Sequence, residues 1–359
     1  MKRYSVVYLM VTLVALVSAC QKSVPSPEQA DVARTITFKA CVPELQGATK
    51  AEFGTKKPGG YPVKWTGTDK AGVSVDYATE YQTVTIEPGE NVQEGTFTAT
   101  ITPPSAGAFK VQATVPASFI VGYDATGSTV EVSIPASQRP SAGSPDSGAI
   151  FLVAEKEFEA APAGDEPVLL PFKHATAYGC ISLTNLPTDA EIHSIDLIAS
   201  VPISGKWKYC PETGAMTPGV SANIITVHTA SATNVFFGCA PADLEGQTLK
   251  IRLNTAAGIW ETTVSITSAL KFTAGTLANF SVDMSGSTKK TSISILGIGH
   301  SFTMDAMQYL YQPLAELGYT DIALGRLVKS NCKLLEHVQY YNENTPYPWA
   351  GTNLAGSWV

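Results

Sequence analysis

The chain has 359 residues, of which 44% are hydrophobic and only 15% are charged, and its formal net charge is -7 at pH 7. This balance supplies enough apolar side chains for large cores and excludes an intrinsically disordered chain. The acidic balance, with no basic run, also argues against nucleic acid as a partner.

The N-terminus has the features of a lipoprotein signal peptide. A short basic start precedes an apolar run over residues 6–17, which is too short to cross a membrane comfortably. Val17–Cys20 follows as a branched aliphatic residue, two small residues and a cysteine. We predict a signal peptide over residues 1–20, lipidation at Cys20 and a flexible tether over residues 21–33. The predicted location is the cell envelope, anchored to the outer membrane and exposed at the surface.

The remaining cysteines are few and scattered. An odd number at wide spacings does not form a disulfide framework, although one bridge within the middle region stays open. No Cys or His pair has the spacing of zinc ligands, so neither a metal site nor a cofactor is predicted. These cysteines are Cys41, Cys180, Cys210, Cys239 and Cys332.

From residue 34 to residue 286 the dominant pattern is alternation of apolar and polar side chains. Thr96–Ile101 and Thr129–Ile134 each place one face in a core and the other in water. Turns rich in Gly and Pro separate such runs, and no amphipathic helix of three turns interrupts them. The pattern predicts a mainly β fold with two antiparallel β-sandwich domains, over residues 34–162 and 163–286.

Several short motifs in this region occur in an order typical of one family of surface proteins. They are Ala48–Phe53, Trp65, Ile134–Gln138, Ile150–Ala154 and Phe172–Ala175. With these motifs the chain resembles a fimbrillin-like protein over roughly residues 34–285. The resemblance implies a lipid-anchored surface protein with two β-sandwich domains. It also implies fimbrial subunits as partners, through donation of a strand to an exposed sheet edge.

Three side chains of this region are candidates for binding or chemistry. His174 has no second histidine and no carboxylate near it in the sequence, which favours a packed structural residue over a catalytic or metal-binding one. Trp65 and Trp260 could stack on sugars, but a core or rim position is favoured for both.

After a polar linker over residues 287–290 the pattern changes to that of an α/β unit. Thr291–Ile298 is a nearly continuous apolar run, as expected for a strand buried on both faces. A helical pattern over Phe302–Leu317 follows, and Pro313 should kink this helix or split it into two. Asp321–Val328 then predicts a second strand, parallel to the first.

Residues 291–359 are thus predicted as the opening, truncated βαβ segment of a flavodoxin-like α/β fold. Gly299–Phe302 and the later Cys332 resemble the N-terminal part of an SGNH (GDSL-type) hydrolase domain. The resemblance implies that Ser301 is the nucleophile and that its backbone N–H helps to hold an oxyanion, with Asn331 and Cys332 in the second oxyanion region. The alternative is a plain strand-to-helix turn in which the serine is the N-cap.

Departures from the family pattern weaken the expectation of an enzyme. His300 stands where the family has Asn or Asp, and Ser330 and Asn331 replace two glycines. The Asp-x-x-His that orients and deprotonates the serine has no counterpart in the sequence, and His337 corresponds to a histidine that is not the base. Loss of a triad member lowers the rate by a factor on the order of 10⁴ or more.

Two functions follow from these patterns. The first is a lipid-anchored cell-surface protein with an SGNH-type serine ester hydrolase module, acting on acyl or acetyl esters such as those of glycans, incomplete in this chain and inactive as written. The alternative is a non-catalytic, fimbrillin-like adhesion or pilus-associated surface protein with a remnant hydrolase segment. The expected partners are membrane lipid through Cys20, a surface glycan or ester substrate, and fimbrial subunits.

Overall fold

The computed structural model describes residues 32–42, 64–76, 78, 80–91, 93–104, 107–117, 120–123, 129–141, 143–162, 166–188, 191–267, 270–329, 333–343 and 349–351. Over these residues the fold is mainly β with several antiparallel sheets, which confirms the predicted class. Within the described part of residues 34–286, no α-helix is present, and Ser147–Ala149 forms a 3-10 turn.

The strands of the first half are β1 Arg34–Cys41, β2 Lys70–Val75, β3 Gln82–Thr85, β4 Glu87–Pro88, β5 Glu94–Ile101, β6 Phe109–Val115, β7 Ile120–Tyr123, β8 Val130–Ile134, β9 Ser137–Gln138, β10 Leu152–Phe158, β11 Val168–Pro171, β12 Lys173–His174 and β13 Ala177–Thr184. The strands that follow are β14 Ile192–Ala199, β15 Ser204–Tyr209, β16 Met216–Ala222, β17 Ile224–His228, β18 Val235–Cys239, β19 Ala242–Asp243, β20 Thr248–Thr255, β21 Gly258–Ser265, β22 Lys271–Phe272, β23 Leu277–Asp283, β24 Thr288–Lys289, β25 Ser292–Gly299, β26 Asp321–Val328 and β27 Trp349–Gly351. The helices are α1 Ser301–Gln308, α2 Tyr311–Glu316 and α3 Leu334–Asn342.

Two sheets in the first half of the chain share one hydrophobic core. Their strand orders are β11-β1-β5-β4 and β12-β10-β6-β2-β3. Phe38 and Phe97 are opposite each other in the register of β1 and β5, and their rings stack with centroids 5.2 Å apart. Trp65 packs edge-on against Phe172 in the same core, which confirms the core position favoured for it. Full burial of such a side chain stabilises the fold by about 1.5–3 kcal/mol.

The second half forms a six-stranded and a three-stranded sheet around a separate core. Their orders are β24-β21-β20-β14-β17-β9 and β18-β13-β23. Leu197 of β14 lies opposite Ile251 of β20, and both are almost fully buried. Gly179 of β13 lies opposite Phe237 of β18, and a Cβ atom at position 179 would collide with the Phe237 ring. The close approach of this ring explains why the position requires glycine.

A further four-stranded sheet, β16-β15-β8-β7, covers the outer face of β10. Leu152 and Ala154 of β10 belong to the first core, whereas the intervening Val153 packs with Val130, Trp207 and other apolar residues of the four-stranded sheet. Because successive strand residues point to opposite faces, residues 152–154 of β10 are buried on both sides. This part of the five-stranded sheet is therefore an internal layer.

Strand pairing crosses the predicted boundary at residues 162 and 163 in both directions. Before it, β8 pairs with β15, and β9 pairs in parallel with β17. After it, β11 pairs in parallel with β1, and β12 pairs with β10. The boundary itself stays a prediction, and these exchanged strands bind the two halves together through backbone hydrogen bonds.

Gln138 joins residues that are far apart in the sequence. Its side-chain amide accepts a hydrogen bond from the backbone N–H of Gly238 at 2.9 Å and donates to the Gly238 carbonyl at 2.7 Å and the Pro135 carbonyl at 2.9 Å. The side chain is fully buried. Gly238 lies in β18, an edge strand of the three-stranded sheet, so the amide takes the place of a neighbouring strand.

The C-terminal segment is the predicted βαβ unit. Strands β25 and β26 pair in parallel over their whole length, and two helices connect them. The predicted single helix is split, with α1 ending at Gln308 and α2 beginning at Tyr311. This split agrees with the expected effect of Pro313, because its ring excludes a regular helix around residue 309, four positions earlier.

One expectation for this segment is wrong. We predicted that the first strand is buried on both faces, but β25 alternates between exposed and partly buried residues. Leu296 and Ile298 are 55% and 47% exposed, because α1 and α2 pack on the opposite face of the sheet. A continuous apolar run in the sequence therefore did not correspond to two covered faces here.

Candidate functional site

Ser301 lies where the sequence places it, at the junction of β25 and α1. The strand ends at Gly299, His300 is the N-cap, and Ser301 is the first residue of the helix. A side chain at position 299 would collide with Thr303, so the tight turn requires glycine there. The Ser301 side chain is exposed to solvent.

The N-cap of α1 is His300, one residue earlier than the serine N-cap considered above. Its Nδ1 accepts a long hydrogen bond of 3.4 Å from the backbone N–H of Phe302. The imidazole also packs edge-on against the Phe302 ring, with centroids 5.1 Å apart. His300 therefore acts on the backbone of the helix start, and Nδ1 is not directed at Ser301.

The Ser301 hydroxyl makes no hydrogen bond to any described residue. The five histidines of the chain all lie in the described part of the structure, and none is bonded to this hydroxyl. His228 is the histidine that does bond a serine, with 3.0 Å between Nε2 and the Ser137 Oγ, and this contact joins the paired strands β17 and β9. A serine without a positioned base is a poor nucleophile at neutral pH.

The other predicted site residues lie outside the described residues. Asn331 and Cys332, assigned to the second oxyanion region, and Cys20, the lipidation site, are among these. Of the remaining cysteines, Cys41, Cys180, Cys210 and Cys239 are described and all are free thiols, so no bridge joins them. Burial raises the pKa of the Cys180 thiol to about 11, which keeps it protonated and unreactive.

A second candidate site lies between two sheets in the β region. A cleft of about 490 Å³ opens between the outer face of β6, β10 and β12 and the turn that connects β15 to β16. We call it the inter-sheet cleft. Its polar lining consists of Gln112, Thr114, Glu155, Lys173, His174, Tyr209, Glu212 and Thr213.

The floor of the inter-sheet cleft is polar although it is buried. Gln112 and Thr114 are 2% and 4% exposed, and they lie on the face of β6 that looks away from the first core. The register places Glu155 opposite Gln112 and Val153 opposite Thr114, so these side chains share one face. The Thr114 hydroxyl has no hydrogen-bond partner among the described residues.

Tyr209 forms one wall of the cleft. It is 4% exposed, its ring packs edge-on against Phe151 at 5.7 Å, and no described residue forms a hydrogen bond with its hydroxyl. Burial raises the pKa of Tyr209 to about 12, and the negative charges of Cys210 and Glu155 would add to the shift. The phenol is therefore a neutral hydrogen-bonding group at physiological pH.

His174 is held in the cleft wall by a chain of hydrogen bonds. The backbone N–H of Phe151 donates to Thr176 Oγ1, which donates to the Tyr178 hydroxyl, which lies 2.8 Å from His174 Nδ1. Burial accounts for a raised pKa of Tyr178. The packed structural position favoured for His174 is confirmed.

Sequence analysis missed Gln112, Thr114 and Tyr209. In Phe109–Val115 the apolar residues alternate with Lys110, Gln112 and Thr114, which is typical of a strand with one face in water. The structure instead covers that face with the four-stranded sheet. No local signal in the sequence shows that a second layer lies there.

Two properties of the described residues bear on the kind of site. Among them, no group of three or more His, Cys, Asp and Glu side chains is arranged to hold a metal ion. No helix in the described part of the chain combines the length and apolar character that a membrane crossing requires.

Comparison with known proteins gives structural similarities only. No family model and no curated protein matches the chain. Among solved structures, it is similar to a candidate cell adhesion protein from Bacteroides uniformis (18% identity, TM-score 0.44, covering 71% of this chain and 96% of that chain). A candidate cell adhesion protein from Bacteroides ovatus gives 12% identity and a TM-score of 0.44, covering 72% of this chain and 96% of the other. A fimbrial assembly protein from Parabacteroides distasonis gives 10% identity and a TM-score of 0.37, covering 91% of this chain and 99% of the other. At TM-scores below 0.5, none of the three assigns a function to this chain.

Proposed function

We propose that this protein is a lipid-anchored, cell-surface adhesion protein that acts by binding, and that Ser301 does not hydrolyse esters. In this proposal Cys20 is the lipid attachment site, and fimbrillin-like β-sandwich domains over residues 34–162 and 163–286 form the body of the protein. In this proposal the βαβ segment has no catalytic role. Fimbrial subunits associate with it by adding a strand to an open sheet edge.

The observation that supports this proposal most strongly is the environment of Ser301. The hydroxyl is exposed, and no described residue accepts a hydrogen bond from it. The nearest histidine in the sequence, His300, uses Nδ1 to cap the helix. Nucleophilic catalysis by serine requires a base within about 2.6–3.2 Å of the hydroxyl. The helix N-terminus supplies an oxyanion-binding N–H at most, which does not activate the nucleophile.

The β region has two features that support a binding function. It contains three of the four hydrophobic clusters of the described residues and forms the structural body of the protein. It also contains the inter-sheet cleft, whose size lies within the range of about 300–1,000 Å³ found for small-molecule sites. Among the described residues, binding therefore has a structured location, whereas hydrolysis does not.

Hydrolysis of p-nitrophenyl acetate by the purified full-length chain tests the proposal. The wild type, Ser301→Ala and the matched control Ser294→Ala, an exposed serine of β25, are compared at equal concentration. We expect equal rates for all three, because lysine and cysteine side chains then account for any background. A rate that falls in Ser301→Ala but not in Ser294→Ala would contradict the proposal.

A further inference from the structure

We propose that strand β25 forms a dimer interface, by pairing in the antiparallel direction with β25 of a second copy of this chain. This role goes beyond the proposed function, because it assigns self-association to the βαβ segment. Three features of β25 support it: an open edge, a composition without edge protection, and an edge that is complementary to itself.

One edge of β25 is open among the described residues. The strand order β25-β26-β27 places β25 at the end of its sheet, and helix α3, which also contacts β25, forms no ladder with it. The backbone N–H of Lys329 donates to the Gly299 carbonyl at 3.1 Å, and that of Asp321 donates to the Thr291 carbonyl at 3.1 Å. These two odd-numbered positions therefore direct their carbonyls toward β26.

The alternate positions of β25 form the open row of backbone groups. Because the direction of the N–H and C=O groups alternates along a strand, the even-numbered residues direct theirs away from β26. None of these backbone groups forms a hydrogen bond with a described residue. The residues of this row are Ser292, Ser294, Leu296 and Ile298.

The composition of β25 lacks the features that keep an edge strand from pairing. The strand has eight residues with no charge and no proline, and its register with β26 has no bulge. The side chains of Leu296 and Ile298 are exposed on the face opposite α1, which adds apolar surface beside the open row. A long, uncharged edge strand of this kind is expected to accept another strand.

Several edge strands of the β region are protected, in contrast to β25. The short strands β4 and β11 each contain a proline, Pro88 and Pro171. Strand β16 contains Pro218 and pairs with β15 in an irregular register. The edge of β18 is occupied by the Gln138 amide. Proline removes a ladder donor, so these edges are poor templates for a further strand.

The open edge of β25 is complementary to itself. A two-fold axis at Ile295 places Ser292 opposite Ile298 of the second copy. The same axis places Ser294 opposite Leu296 of the second copy. Each residue of the open row then exchanges both backbone hydrogen bonds with its counterpart, so every group in the row gains a partner. Because the strand is uncharged, pairing brings no like charges together.

The antiparallel direction also keeps the two β regions apart. The linker reaches β25 at Ser292, and the two copies of this residue lie roughly 20 Å apart along the paired strands, at about 3.3 Å per residue. A single strand pair buries less than the roughly 1,200 Å² of a standard interface, so we expect a weak dimer with a Kd above about 1 µM.

Sedimentation velocity of the purified full-length protein from about 1 to about 200 µM measures the association. Ser294→Pro removes an N–H from the open row but none from the ladder with β26, and Leu296→Lys adds a charge beside the row. The matched control is Val220→Lys, because Val220 is 81% exposed on the protected edge strand β16. Melting temperatures within a few degrees of the wild-type value show that the variants are folded.

Peptide-resolved hydrogen exchange of the wild type gives a second measurement that needs no variant. Strand pairing protects the amides of the open row, so exchange over residues 292–299 should slow as the protein concentration rises. This measurement decides the question even if neither β25 variant folds.

We expect the wild type and Val220→Lys to dimerise equally, and both β25 variants to associate at least about tenfold more weakly. A wild type that stays monomeric, a dimer kept by either folded β25 variant, or equal weakening by Val220→Lys would each overturn the inference. Assembly beyond the dimer, or exchange over residues 292–299 that does not depend on concentration, would also overturn it. None of these outcomes involves the Ser301 hydroxyl, so failure here leaves the non-catalytic proposal standing.

Discussion

Replacing Gln138 by leucine should destabilise the protein by about 3 kcal/mol. The substitution keeps the approximate volume but removes three hydrogen bonds of 2.7–2.9 Å. It leaves the buried N–H and C=O of Gly238 and the carbonyl of Pro135 without partners, at about 1–3 kcal/mol for each group. Burial of the added apolar surface offsets about 1–2 kcal/mol of this loss.

Urea denaturation of the full-length protein measures the effect, as a lower midpoint with an unchanged slope. The matched control is Gln82→Leu, because the Gln82 side chain accepts a 2.8 Å hydrogen bond from the Thr100 N–H at an exposed site. We expect the control to change the free energy of unfolding by no more than about 0.5 kcal/mol. If Gln138→Leu lowers the free energy of unfolding no more than the control does, the idea that this amide takes the place of a neighbouring strand is refuted.

Gln138→Glu adds a pH test of the same contact. The new carboxylate would face the carbonyls of Gly238 and Pro135, whereas the protonated acid can still donate to one of them. Burial should raise the pKa of the introduced carboxyl group in the folded state above its unfolded value. The stability of the variant is therefore closest to that of the wild type below about pH 4, and it falls as the pH rises through the pKa of the folded state. A difference from the wild type that stays constant from about pH 4 to about pH 7 would contradict this account.

Three further outcomes each follow from a single residue. Burial alone would raise the pKa of Glu261, but the hydrogen bond and charge of Arg252 at 2.7 Å outweigh it and hold the pKa below its ordinary value. Arg252→Met should therefore lower the free energy of unfolding by about 1 kcal/mol at pH 7, and by progressively less below about pH 4. Urea midpoints measured across this pH range test the prediction. Gly179→Ala should lower the free energy of unfolding by about 1–3 kcal/mol, because its Cβ would enter the Phe237 ring; an unchanged midpoint would show that the ring can move aside. Cys20→Ala should abolish incorporation of labelled palmitate in growing cells, and undiminished labelling would rule out Cys20 as the lipid site.

The sequence predicted the elements whose signals are local. Asp321–Val328 is observed with the predicted bounds, and the alternation in Thr96–Ile101 corresponds to strand β5. The helix split near Pro313 and the serine at the start of α1 also follow from local chemistry. Each of these depends on residues within a few positions of one another.

The sequence could not predict features set by long-range pairing. Alternation in β6 indicated a polar face, but only the packing of the four-stranded sheet decides that Gln112 and Thr114 are buried there. Strand β8 pairs with β15 and β9 pairs with β17, so residues far apart in the sequence are joined. No periodicity in the sequence indicates these pairings. For the same reason Gln138 was noticed as part of a motif while its role at the edge of β18 was not.

Reaction of the purified protein with a fluorophosphonate probe, located by peptide mass spectrometry, tests the non-catalytic proposal most directly, because such probes label activated serines. We expect no label at Ser301 under conditions that fully label a serine esterase added to the same sample. Stoichiometric labelling of Ser301 that is lost in Ser301→Ala would contradict the proposal and restore an active ester hydrolase.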